Sequence, residues 1–161
     1  MEEIILQTGS NLGDRKGNLA KACYLLEAEV GSLVKASKLY LTEAWGVKKQ
    51  PAFYNQILWM RTALSPQELL AKILELEIRM GRIRRRKWGE RTIDIDIIFY
   101  GDQVIQQEGL TIPHPWLQER NFVLMPLAEI APHWVHPILR KDVATLLQET
   151  PDQSLAKPLE K

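Results

Sequence analysis

Ile4 to Thr8 form a short, mostly apolar run with the length and composition of a buried strand. Gly9-Ser10-Asn11-Leu12-Gly13-Asp14 interrupts it with turn formers, and from Leu19 to Val30 the apolar positions take up helical spacing. Gly31 is placed to end that helix. Leu33 to Leu41 mixes apolar and polar residues in strand fashion, Thr42 to Ala52 is rich in turn formers, and Phe53 to Thr62 predicts another strand. Ser65-Pro66-Gln67-Glu68 marks a helix start, with Ser65 as N-cap, Pro66 at the first helical position and Glu68 closing a capping box. Leu69, Leu70, Ile73, Leu76 and Met80 carry its apolar face as far as Gly81.

Arg91-Thr92-Ile93-Asp94-Ile95-Asp96-Ile97-Ile98-Phe99-Tyr100 is the most informative stretch. It reads as a strand in which Ile93, Ile95 and Ile97 point one way and Asp94 and Asp96 the other. The two carboxylates then lie about 6.6 Å apart along the chain. On a half-buried face they repel each other and are costly to desolvate, and a divalent cation removes both problems.

The resulting order, β-α-β-β-α-β, predicts an α+β, ferredoxin-like core with an antiparallel sheet and helices on one face. Val104-Ile105 and Leu110 to Ile112 add short strands, Pro113-His114-Pro115 makes a rigid connector, and Asp142 to Glu149 predicts a C-terminal helix. Residues 1–150 are expected to form a single domain, and 151–161 a polar tail that frays.

Charge changes this picture only locally. The 161 residues carry 21 Lys and Arg against 20 Asp and Glu, so no whole-molecule field points to nucleic acid or membrane. Seven of those basic residues, Arg79, Arg82, Arg84, Arg85, Arg86, Lys87 and Arg91, fall within thirteen positions directly upstream of the acidic pair. Cys23 is the single cysteine, set among Ala20, Ala22, Leu25 and Leu26, which excludes an intramolecular disulfide and points to a buried, inert thiol. The start has no basic segment followed by an apolar one, and no run is long enough to cross a bilayer, so a cytoplasmic protein is expected.

A basic loop beside two carboxylates suits a polyphosphate carrying Mg²⁺, which takes one or two carboxylates together with phosphates and waters. The plain alternatives are a solvated strand face for Asp94 and Asp96 and a solvated or nucleic-acid-binding patch for the arginines. Gly81 and Gly89 bracket the basic run as hinges would, and Arg82 and Arg91 near its two ends are the best phosphate clamps, followed by Arg84. Trp88 in that loop, and Trp45 more weakly, suit lids over a flat ligand, whereas Trp59 in mid-strand reads as core. His114, between two prolines and near Arg120, suits a phosphate contact; His133 and His136 read as structural. Glu77 is either a surface residue or a ribose contact.

Several blocks occur together in the order and spacing of a known family: Gly9-Ser10-Asn11-Leu12-Gly13-Asp14-Arg15, Gly81-Arg82, Trp88-Gly89-Glu90-Arg91-Thr92-Ile93-Asp94-Ile95-Asp96-Ile97, Pro113-His114-Pro115, and Arg120 through Pro132. On these the chain resembles the 6-hydroxymethyl-7,8-dihydropterin pyrophosphokinases, which move pyrophosphate from ATP to a pterin hydroxymethyl group and release AMP. The resemblance implies two Mg²⁺ ions on Asp94 and Asp96. It places Arg82, Arg84, Arg91, His114 and Arg120 on ATP, with Glu77 and Thr111 near the nucleotide. It implies pterin contacts from Thr42, Trp45, Phe53, Asn55 and Phe122, with Trp88 on the lid. Glu90 stands where the family usually has proline, Phe53 where tyrosine can occur, and Gly109 where some relatives carry a basic residue. The expected partners are therefore small molecules, ATP and the pterin, with no nucleic acid or membrane and a monomer as the default state. An RNA-binding module and a Mg-dependent transferase with another acceptor are the competing readings.

Overall fold

In the computed structural model, residues 1–42, 52–82, 92–152, 154 and 156–159 are described. The elements are β1 (Glu2–Ser10), α1 (Arg15–Glu29), β2 (Gly31–Ala36), β3 (Tyr40–Thr42), β4 (Phe53–Thr62), α2 (Pro66–Arg79), β5 (Asp94–Tyr100), β6 (Ile105–Gln107), β7 (Leu110–Ile112), α3 (Asn121–Ile130), α4 (Val143–Glu149) and β8 (Lys157–Pro158), with a 3-10 turn at Leu117–Glu119. The main sheet runs β5-β1-β4-β3-β8 with β2 also on β4, and its pairings are antiparallel. This is the expected α+β arrangement. No helix among the described residues is long and apolar enough to cross a membrane.

The two central strands pair from Glu2↔Thr62 to Ser10↔Tyr54, and their period of two divides the core. Ile4, Leu6, Leu58 and Met60 pack with Leu19 and Leu26 of α1 and Leu69, Ile73 and Leu76 of α2. Ile5 and Ile57 face the other way, onto Val123, Leu124 and Leu127 of α3 and Val143 and Leu146 of α4. Full burial of each such side chain contributes roughly 1.5–3 kcal/mol relative to exposure. Helices thus cover both faces, not the one face expected. The segment that forms α3 holds Pro126 in its middle, which masks its helical character in the sequence.

Two local differences have clear causes. Gly31 is not a left-handed helix cap but the first residue of β2, where a Cβ would collide with the carbonyl oxygen of Arg61 on β4. The tail does not simply fray: β8 pairs with β3, Ala156 is buried, and Asp152 is hydrogen-bonded to α3. A polar composition hid these bonds because they are made mostly by backbone groups and one carboxylate. The capping box at Ser65 is present as expected, with Ser65 Oγ accepting from the Glu68 N–H at 3.1 Å and Glu68 accepting from the Ser65 N–H at 2.9 Å.

Candidate active site

Strand register builds the site floor. Gly9 of β1 pairs with Asn55 on one side and Asp94 on the other, and Gln7 pairs with Ile57 and Asp96. These residues lie on the α3 side of the sheet, with Asp94 and Asp96 pointing away from Ile93, Ile95 and Ile97, which join the α1–α2 core. A bulge after Ile97 then turns both Ile98 and Phe99 to the α3 side and ends the acidic face in packed hydrocarbon. Two strand spacings separate Asn55 from Asp94, about 10 Å, with only a glycine between them.

Asn55 and Thr42 form one wall. The side-chain Nδ2 of Asn55 donates to Thr42 Oγ1 at 2.6 Å, and Phe53 pairs with Thr42 across the β3–β4 ladder. A Cβ on Gly9 would stand 2.7 Å from Asn55 Oδ1 and 3.6 Å from Phe53 Cδ1, so the missing side chain is what lets both residues lean over the floor. The family motif contains Gly9, but only the register explains why the position is a glycine. Arg15 supports the same wall from outside, donating to the carbonyl of Ala52 at 2.7 Å while its guanidinium lies 4.3 Å from the Tyr54 ring centre.

Phe122 lies opposite, in the first turn of α3. Its carbonyl would ordinarily accept from the residue four places on, but that residue is Pro126, which has no N–H. Buried Gln7 supplies the donor instead, Nε2 to Phe122 O at 2.8 Å. The polar Gln7 inside the apolar run of β1 is the one sequence signal for this bond. The Arg120 guanidinium lies 5.5 Å from the Phe122 ring centre, and burial pulls its pKa below the usual arginine value against the opposing pull of Asp96 and Asp94.

The acidic end has an ordered electrostatic structure. Helix α2 closes in a Schellman arrangement, with the Gly81 N–H on the Ile78 carbonyl, the Arg82 N–H on the Glu77 carbonyl, and Gly81 at φ 87°. That turn folds Arg82 back, so that its NH1 reaches Glu77 at 2.6 Å and Asp94 at 2.9 Å. Glu77 is not the surface residue that one sequence reading allowed. It is 1 % exposed and also accepts the Ile95 N–H at 2.8 Å, so it ties the end of α2 to the start of β5. Arg82 Nε is buried with no hydrogen-bond partner among the described residues, a donor left over for an incoming anion.

Asp96 carries the strain of the pair. Burial first, then the charges of Asp94 and Glu77, drive its pKa up to about 8, with Arg82 and Arg120 pulling the other way. His114 follows the short 3-residue strand β7, its N–H on the Ile98 carbonyl at 3.0 Å. Burial and Arg120 push its pKa down to about 4, so it is neutral at pH 7. Its Nδ1 accepts the Trp116 N–H at 3.3 Å, which places the ring proton on Nε2 as a donor. Thr111 lies exposed on β7, opposite Gln106. Trp45, Arg84, Trp88 and Arg91 lie outside the described residues, as do Arg85, Arg86, Lys87 and Glu90.

Residues 5–132 match the profile of the 7,8-dihydro-6-hydroxymethylpterin-pyrophosphokinases. The chain belongs to this family. The 2-amino-4-hydroxy-6-hydroxymethyldihydropteridine pyrophosphokinase of Aquifex aeolicus is 44% identical over 158 residues, 98% of this chain and 96% of that protein. The Synechocystis protein of the same name is 44% identical over 146 residues, 90% of this chain and 74% of that one. Among solved structures, a Plasmodium falciparum HPPK-DHPS in complex with pteroate superposes with a TM-score of 0.75 at 17% identity, which shows the shared fold. The match spans 92% of this chain and 42% of that longer protein. As a pterin pyrophosphokinase, the chain transfers pyrophosphate from ATP to hydroxymethyldihydropterin in folate synthesis. Family membership decides against the RNA-binding module and against a transferase with another acceptor.

Proposed function

We propose that the pyrophosphokinase reaction runs along the row Asn55–Gly9–Asp94, with the pterin ring over the glycine and its hydroxymethyl group directed toward the carboxylate pair. The row itself carries this reading: a recognition amide and an acidic pair about 10 Å apart, with open floor between them, match the span of a bicyclic ring and its one-carbon arm. Asn55 Nδ2 is committed to Thr42, which orients the amide for the ring edge, while Phe122 and Phe53 offer flat faces. Trp45 belongs to the pterin site and Trp88 to its lid by the family motif.

Asp94 and Asp96 fit magnesium. They share a face, Asp96 is strongly destabilised as an anion, and among the described residues no third His, Cys, Asp or Glu completes an all-protein cage. Phosphate and water then supply the remaining ligands, as magnesium prefers, and the family implies two ions. When bound, the metal supplies charge neutralisation at the phosphate oxygens. The protein's own share is positioning and charge. Arg82 offers its free Nε to phosphate, and Glu77 acts on the nucleotide through Arg82 by holding that guanidinium in place. Neutral His114 donates from Nε2, Arg120 adds a cation between Phe122 and the acidic pair, and Arg84, Arg91 and Thr111 complete the ATP site on the family motif. The enzyme is taken as a cytoplasmic monomer acting on these two small molecules.

The test is product analysis after incubation with ATP, Mg²⁺ and reduced hydroxymethylpterin. AMP and pterin diphosphate should form one for one, and none without Mg²⁺. ADP with a pterin monophosphate would refute the assignment.

A further inference from the structure

The segment after α4 touches both walls of the pterin pocket. At its start, Asp152 Oδ2 accepts the backbone N–H of Asn121 at 2.7 Å. Asn121 answers with its side chain, Nδ2 donating to the carbonyls of Asp152 and Ser154 at 2.6 and 2.8 Å. The second carboxylate oxygen of Asp152 is occupied by Ser154, taking its N–H at 2.9 Å and its hydroxyl at 2.6 Å. At its far end the segment becomes β8, where Lys157 and Pro158 pair with Leu41 and Tyr40, and the Leu159 N–H reaches the Leu39 carbonyl at 2.8 Å. Ala156, between the two anchorages, is buried.

Asn121 opens α3 and is followed by Phe122, while Tyr40 and Leu41 lead into Thr42. One anchorage therefore holds the wall that stacks, and the other holds the wall that reads the ring edge. The first N–H groups of a helix have no partners within it, and a carboxylate there satisfies a donor and complements the helix dipole. Arg120, the residue before α3, makes no side-chain cap, so the strap provides the cap that the helix's own sequence lacks.

We propose that the segment after α4, through its described residues 150–152, 154 and 156–159, acts as a strap that sets the spacing of the two pocket walls, with Asp152 as the positioning residue for Phe122. The strap's hydrogen bonds go to Asn121 and to the β3 edge and to none of Asp94, Asp96, Arg82 or His114, so its effect should fall more on the pterin than on ATP, with Arg120 the one ATP residue that it adjoins. This rests on the placement of the pterin between Phe122 and Asn55, and the experiment separates the two ideas.

Steady-state KM for pterin and for ATP is measured for the full chain carrying Asp152→Ala, Asp152→Asn, Asn121→Ala or Phe122→Ala. Asp152→Ala should raise pterin KM roughly tenfold, the size of one lost cap, and leave ATP KM within about twofold. Asp152→Asn keeps an acceptor for the Asn121 N–H and should recover most of the loss. Asn121→Ala cuts the strap from the other end, should give the same split, and decides the matter if Asp152→Ala fails to fold. A role in stability alone would lower the melting temperature without separating the two KM values, and that result overturns the strap. If Phe122→Ala also leaves pterin KM unchanged, the pocket assignment itself has failed and the proposal falls with it.

Discussion

Replacing Gly9 by alanine tests the site floor more directly than removing any side chain. Gly9 has no positive φ, so its backbone accepts alanine and the strand gains a better residue. The added methyl, however, would stand 2.7 Å from Asn55 Oδ1, where ordinary contact begins at about 3.4 Å. Asn55 has to retreat by several tenths of an ångström while bound to Thr42 at 2.6 Å, so the wall either loses that hydrogen bond or turns its amide away from the ligand. Mispairing one buried polar contact costs about 1–3 kcal/mol, which corresponds to roughly 5- to 150-fold in pterin affinity. ATP affinity should stay within about twofold, because Arg82, His114 and Arg120 are built on other elements. Calorimetric titration with each ligand, alongside a thermal melt, reads this out. Near-normal pterin affinity in a folded Gly9→Ala protein would show that the ring does not lie over Gly9. Equal losses for pterin and ATP would mean that the substitution deforms the sheet.

Asp96→Asn should stabilise the metal-free protein. The folded pKa of Asp96, about 8, lies above its usual 3.8, so the folded state holds the proton more tightly and stability declines as pH rises between those values. The full shift corresponds to a ceiling of roughly 6 kcal/mol; relaxation in the open cleft leaves an expected gain of about 2 kcal/mol, or about 4–8 °C in Tm, at pH 8.5 in EDTA. The gain should shrink toward pH 5, and a melting point unchanged or lower at pH 8.5 would refute it. Gln7→Leu should cost about 1–2 kcal/mol in urea denaturation by leaving the Phe122 carbonyl unpaired, and adding Pro126→Ala should recover part of it by restoring an N–H; additive losses would refute the coupling. Arg82→Ala should lower kcat more than it raises either KM if its contacts strengthen as charge shifts during transfer, which stopped-time product assays across substrate ranges can check.

What could be read without coordinates is what repeats along the chain. Phe53 to Thr62 is a strand with the bounds expected, because it is rich in aromatic and apolar residues and uninterrupted by glycine or proline. The Ser65 capping box is local chemistry within four residues and was equally legible. Helix α3 was not, since its apolar residues surround Pro126 and the donor that makes the proline tolerable comes from Gln7, more than a hundred residues away. Gly31 misled for a related reason: glycine after a helix ordinarily signals a left-handed cap, but here its small size answers a close approach from β4.

The site divides along the same line. Asp94 and Asp96 share a face because they are two residues apart on one strand, and no tertiary information is needed for that. Their inequality is tertiary: Asp94 is held by Arg82 at 2.9 Å, whereas Asp96 is driven up by burial and by two neighbouring carboxylates. Substituting Asp94 therefore removes an ion-pair partner as well as a repulsive charge, while substituting Asp96 chiefly relieves repulsion. The two residues should act alike in activity and differently in metal-free stability. Glu77 shows the principle in reverse. Its spacing on α2, four residues after Ile73 and three before Met80, puts it on the apolar face, but a carboxylate there has no evident partner until the Schellman turn brings Arg82 back over it and the start of β5 donates an N–H to it. A carboxylate so fully engaged by the protein interior is placed to hold Arg82 still, a task that only the folded chain can assign.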